Sequence, residues 1–122
     1  MIYAGQERLD NNKPSLFDID KVNWSGIDIS QLIKKLSTIT KNMIFSHGNY
    51  NLHITDKEVF YADYKLEGKH IIGVFNIGLE SGELEIELDN GKYLNILDKT
   101  EIQIVDKKLK LSNKPIIFWA VK

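Results

Sequence analysis

From Asn49 onward, apolar and polar residues alternate with a period of two, which predicts a series of short β-strands. Leu52 and Ile54 alternate with His53 and Thr55, an arrangement that turns the two aliphatic side chains inward and His53 outward. Leu84, Ile86 and Leu88 alternate with Glu83, Glu85 and Glu87, as in a half-buried strand with an acidic outer face. Asn90-Gly91 then predicts a type I′ hairpin into "KYLNIL", because both residue types accept a positive φ. Ile102 and Ile104 alternate with Glu101 and Gln103, after which "DKK" turns into "LKL". The run "IIFWAV" is apolar on both faces, as expected of a strand covered on both sides, and Trp119 within it reads as core. With Gly68, Gly78, Gly82 and Gly91 at turns, the spacing predicts an antiparallel sandwich or barrel of seven or eight strands.

Before Asn49 the period is helical. Ile29, Leu32, Ile33, Leu36 and Ile39 recur at three- and four-residue steps and form one apolar stripe, predicting a helix over 29–42. Asp28 is placed to cap it, with Gln31 at the capping-box position and Lys41 in the last turn. Residues 1–26 are irregular. Ile2-Tyr3-Ala4 reads as the end of a buried strand and Gly5-Gln6-Glu7 as the turn leaving it. Such a strand needs neighbours on both sides, and no segment of this chain precedes it. The stretch that follows sets turn formers (Asp10, Asn11, Asn12, Pro14, Gly26) around the apolar anchors Leu16, Phe17, Ile19, Val22 and Trp24.

Composition narrows the class of protein. At 122 residues with 43% hydrophobic content, the chain is long and apolar enough to bury a core. It has no cysteine, which rules out disulfides and thiolate metal sites. A formal net charge of −1 with both signs scattered gives no basic patch, so no nucleic-acid partner is expected. Ile116 to Val121 is the longest apolar run and is too short to span a bilayer, so no membrane partner is expected either. Met1 to Asn12 lacks the charged and apolar regions of a secretory signal, and the cytoplasm is the expected compartment.

The candidate chemistry is sparse. His47, His53 and His70 share no ligand spacing, and no metal or cofactor is expected. Asp18 and Asp20 sit in a loop, where function concentrates, yet turn-forming aspartate is the commoner use of such positions. Glu83, Glu85 and Glu87 look like a solvated strand face. No nucleophile elbow or phosphate-binding glycine loop occurs, so no catalytic residue is assigned. Aromatic rings can stack on the apolar face of a sugar, and Trp24, Tyr61, Tyr64 and Tyr93 are the candidates, each with a packing role as its alternative.

Taken in order, these parts resemble the C-terminal third of an α-amylase-type enzyme of glycoside hydrolase family 13. "IYAGQE" matches that family's last barrel strand at Tyr3, Gly5, Gln6 and Glu7, positions that are not catalytic. "FDIDKVNW" and "ISQLIKKLSTITKN" fill the places of the following loop and final barrel helix. "GVFNIG" at Phe75-Asn76 and "GKYLNIL" at Gly91, Lys92, Tyr93 and Leu97 resemble strands of the family's C-terminal β-domain. The resemblance implies a mainly β fold: an antiparallel Greek-key sandwich with one amphipathic N-terminal helix. Residues 1–48 would be barrel-derived, and 49–122 the β-domain. It further implies a non-catalytic accessory role beside the barrel of an enzyme acting on α-glucans, since that family's catalytic carboxylates lie on earlier barrel strands. Two other readings are a starch-binding module and a free-standing interaction protein from a truncated gene. The strand at Ile2 to Ala4 would then be unpaired, and is expected to add to a sheet edge of its own or to pair with a second copy.

Overall fold

The computed structural model describes residues 4–13, 15 and 17–121, and the chain divides into two compact units, 1–40 and 41–122. Ile2, the motif position Tyr3, Pro14 and the loop anchor Leu16 lie outside the described residues; of the strand expected at the start only Ala4 is described, in a turn.

In the first unit a 3₁₀ turn, Gln6–Arg8, leaves Gly5, whose φ of 93° suits glycine and whose N–H is taken by Glu7 Oε2 at 3.1 Å. The Glu7 carbonyl accepts the Ile29 N–H at 2.8 Å, and Arg8 Nη2 lies 3.4 Å from Asp28 Oδ2. These bonds tie the turn to the start of α1 (Ser30–Thr40). Asp28 Oδ1 accepts the Ser30 N–H at 2.8 Å, so the capping role expected of Asp28 is filled. The helix stops at Thr40, earlier than its pattern predicts. There the Thr38 and Thr40 hydroxyls bond back to the Lys34 and Ser37 carbonyls, which weakens the helical ladder.

The second unit opens with α2 (Ile44–His47), a single turn absent from the sequence expectation. Asn42 Oδ1 starts it by accepting the Ile44 N–H at 3.1 Å. Eight strands follow: β1 (Asn49–Ile54), β2 (Val59–Leu66), β3 (Lys69–Asn76), β4 (Glu83–Glu85), β5 (Gly91–Leu94), β6 (Glu101–Val105), β7 (Lys108–Lys110) and β8 (Ile116–Trp119). They form two antiparallel sheets, ordered β1-β2-β3-β8 and β4-β7-β6-β5. In the second sheet β4 lies beside the far end of the β5-β6-β7 meander, a Greek-key arrangement traced in reverse chain order. The molecule is therefore mainly β and sandwich-like, as the periodicity and the resemblance imply.

The core lies between the sheets. Val59, Ile72, Val74 and Phe118 come from the first, and Leu84, Tyr93, Ile104 and Leu109 from the second. Phe118 is fully buried, whereas Trp119 is only half-buried. The alternation of β8 puts Trp119 opposite Ile71 on the other side of the sheet, so Trp119 is not part of this core.

The hairpin expected at Asn90-Gly91 does not form. β4 pairs with β7 (Leu84↔Leu109) and β5 with β6 (Tyr93↔Ile102). Two-residue turns with positive φ lie instead at Glu67-Gly68 and Asp106-Lys107, joining β2 to β3 and β6 to β7. Asn90 Oδ1 accepts the Lys107 N–H at 3.3 Å, so Asn90 braces the second of these turns.

Two asparagines staple the sandwich. Asn95, 2% exposed, accepts the N–H groups of Leu97 and Ile117 on Oδ1, each at 3.1 Å, and donates to the Pro115 carbonyl. One side chain thus joins the end of β5, in the second sheet, to β8, in the first. Asn76, the asparagine of "GVFNIG", closes the loop after β3 in a similar way: it accepts the Glu80 N–H at 2.8 Å and donates to the Glu80 and Ser112 carbonyls. Asn95→Ala removes the side-chain acceptor of two N–H groups and the donor to the Pro115 carbonyl. It should cost about 2–5 kcal/mol of folding stability, read as a lowered denaturant midpoint at unchanged slope.

Candidate functional site

The side of the first sheet turned away from the core is apolar; Ile71 and Ile117 on it are buried, whereas its β1 portion and the adjoining residues of β2 and β3 are open. The strand register places Tyr50 opposite Tyr64, Leu52 opposite Ala62 and Ile54 opposite Phe60, with Phe60 opposite Phe75 on the next strand. Leu52 is 51% exposed, Ile54 81%, and Phe60 and Phe75 each 38%. Phe45 of α2 meets the Tyr64 ring edge-on at 5.1 Å, and Tyr64 packs on Tyr50 at 5.0 Å. Gly73 makes room for Phe75 on this face, since a Cβ there would come within 2.9 Å of the ring. Leu52 and Ile54 thus face out and His53 lies on the core side, the reverse of the sequence expectation. Alternation says which residues share a face but not which face is inward, and the pairing with β2 decides that.

The corresponding side of the second sheet is built for water. Glu83 and Glu85 stand opposite Lys110 and Lys108, and Lys92 Nζ lies 2.9 Å from Glu101 Oε1. Such exposed pairs add little stability, but they mark a solvated surface. The two outer faces of one sandwich therefore differ sharply in polarity.

On the core side of the first sheet, polar groups gather around Asp63 of β2, which is 4% exposed. His53 Nε2 lies 2.7 Å from Oδ1, and His70 Nε2 lies 3.1 Å from Oδ2. Asn51 Nδ2 donates to Oδ2 at 3.4 Å, and Lys65 Nζ stands 3.8 Å away. The His53 ring stacks on Tyr61 at 4.1 Å, nearly parallel. Burial works to raise the Asp63 carboxyl, but hydrogen bonds from His53 and Asn51 and the charges of His70 and Lys65 outweigh it and hold it below the ordinary range. Burial pulls the His70 imidazole down by more than the Asp63 charge lifts it. Sequence reasoning missed this cluster, although an aspartate at an inward position of "VFYADYKL" was the available signal.

The four aromatic candidates are scattered. Tyr61 points to the core side and Tyr64 to the outer face. Tyr93 is buried in the second sheet, its hydroxyl donating to the Asp89 carbonyl at 2.9 Å. Trp24 is exposed in the first unit. Gly5, Gln6 and Glu7 form the 3₁₀ turn described above. Asp18 and Asp20 are exposed, and both accept hydrogen bonds from Ser15 within their own loop. Among the described residues, no group of three His, Asp or Glu side chains is arranged to hold a metal ion.

A group whose folded pKa lies below its unfolded value contributes stability at higher pH and loses it as pH falls. Both Asp63 and His70 are of this kind. Folding stability should therefore decline from about pH 6.5 downward through His70, and further below about pH 4 through Asp63. Asp63→Asn should cost about 1–3 kcal/mol near neutrality and flatten the lower limb, as measured by denaturant unfolding across that range.

Comparison with known proteins adds a family. The model of the bacterial alpha amylase C-terminal domain matches residues 51–118. The crystal structure of an alpha-amylase from Lactobacillus plantarum superposes with a TM-score of 0.87 at 29% identity, over 98% of this chain and 29% of that one. A maltogenic alpha-amylase from Thermotoga neapolitana gives 0.76 at 20% identity, over 99% of this chain and 32% of that one. An Anoxybacillus alpha-amylase gives 0.64 at 17% identity, over 83% and 24%, so the latter two speak for the fold alone. The chain spans less than a third of each of these proteins. No curated protein matches it in sequence.

Proposed function

Because this chain belongs to the bacterial alpha amylase C-terminal domain family, we propose that it is the non-catalytic accessory part of an α-amylase-type glycoside hydrolase and that it stabilises the catalytic barrel. The single observation that carries this reading is the apolar outer face of the first sheet, set against the charge-paired outer face of the second. Contiguous exposed apolar surface of this kind marks a place where another body docks. The barrel is the occupant proposed, since the three solved relatives are each more than three times as long as the portion matched here. In this reading the first unit supplies the last barrel strand, loop and helix. The second unit is the accessory domain and includes α2, whose Phe45 packs on Tyr64.

Catalysis belongs elsewhere in such an enzyme. A retaining glycosidase needs two carboxylates flanking the scissile bond. Asp18 and Asp20 are exposed and engaged with Ser15, and Asp63 is buried among donors. The substrate class proposed for the whole enzyme, α-glucan, follows the solved relatives, which are alpha-amylases.

An antibody against the domain should detect, in source-cell lysate, a polypeptide several times the 14.1 kDa of this chain, and a band only at that mass would overturn the proposal. In the long polypeptide, Phe75→Glu should lower the melting temperature of the barrel by several degrees. That shift corresponds to about 1–2 kcal/mol of lost apolar burial. Lys92→Glu, on the solvated face, should leave it unchanged. The purified chain alone should release no reducing sugar from an α-glucan.

A further inference from the structure

β1 forms one edge of the first sheet, and none of its six residues is buried. An edge strand without core side chains is held by its ladder to the neighbouring strand and by whatever its side chains can reach. Two of them reach Asp63: His53 at 2.7 Å and Asn51 at 3.4 Å. From β3, His70 reaches the same carboxylate at 3.1 Å. One buried anion on β2 thus joins three strands through side chains alone. The opposite face of β1 carries Tyr50, Leu52 and Ile54, a large part of the proposed docking surface.

We propose that Asp63 is an acid-released latch: ionised, it holds β1 and its share of the apolar face in register on the sandwich, and protonated, it lets that strand go. The latch stands on the geometry of the sandwich, while its consequence for docking rests on the function proposed above. Near neutrality the carboxylate faces the Lys65 ammonium and two imidazole donors, so charge and hydrogen bonds are both satisfied. In acid, protonation of Asp63 removes the anion that the Lys65 ammonium faces and weakens the acceptor shared by Asn51 and His53 of β1 and His70 of β3. The polar side-chain attachment of β1 is then lost, and the strand keeps its ladder to β2 and the ring contacts of Tyr50 and His53. A further charge acting near the cluster is Glu87, which bears on Tyr61. It is paired with Lys107 at 2.8 Å and does not replace Asp63. β6, β7 and β8 are held in the core by Ile104, Leu109 and Phe118 and carry none of the groups of this switch.

Residue-resolved hydrogen exchange on the chain tests the latch. Below about pH 4, protection factors of β1 amides should fall about tenfold or more, as the loss of charge-assisted bonds implies, while those of β6 and β7 hold. Asp63→Asn should show the acid pattern near neutral pH. Should that variant not fold, His53→Gln, at a half-exposed position, should lower β1 protection selectively and blunt its response to acid. Loss of protection in β1 and β6 together, or variants that exchange like wild type, would overturn the latch. Docking is read separately, from the melting temperature of the long polypeptide carrying Asp63→Asn. Selective loosening of β1 with an unchanged barrel supports the latch and counts against the docking reading alone.

Discussion

A sheet with apolar side chains on both faces must be covered on both, and this constraint governs the second unit. The sandwich covers one face of the first sheet, through Val59, Ile72, Val74 and Phe118. The other face keeps Leu52, Ile54, Phe60 and Phe75 in water, while Phe45 of α2 packs on Tyr64 and Ile71 and Ile117 are buried. At roughly 25 cal/mol for each Å² removed from water, covering a few such side chains contributes several kcal/mol to an interface. The second sheet carries far less of this demand, because its exposed Leu94 and Val105 each stand opposite a charged residue and Glu faces Lys across β4 and β7. The asymmetry between the two faces, more than any single residue, is what points to a larger assembly.

Polar groups hold the layers in register where packing alone would let them slide. Asn95 ties β5 to β8, Asn76 closes the loop after β3, and Tyr93 bonds back to Asp89. Each is satisfied, as burial of a polar group requires. Asp63 differs because it is itself a titratable group, and the proposed latch makes the attachment of β1 depend on its ionisation.

Much of this architecture is legible in the period of the sequence, and the exceptions have physical causes. Alternation locates the strands because side chains on a strand repeat every two residues. It cannot say which parity faces the core. At Leu52 and Ile54 the assumption that apolar means inward inverts the strand, since here the apolar parity belongs to a second interface. Asn90-Gly91 carries a hairpin signal that local chemistry supports and tertiary pairing overrides, because β4 finds β7. The Asp63 cluster could not be seen by spacing at all: His53 and His70 are brought together only when β1, β2 and β3 pair. Of the aromatic candidates, Tyr93 and Tyr61 serve packing in this sandwich, while Tyr64 and Trp24 keep exposed or partly exposed rings.

The central question is whether the outer face of the first sheet is covered in the longer polypeptide proposed above. Hydroxyl-radical footprinting of the isolated chain and of the long polypeptide would read this residue by residue. The account predicts that Tyr50, Leu52, Ile54, Phe60 and Phe75 label readily in the isolated chain and are protected in the long one, while Leu94 and Val105 on the second sheet label equally in both. Equal labelling of all seven in the two forms would contradict it.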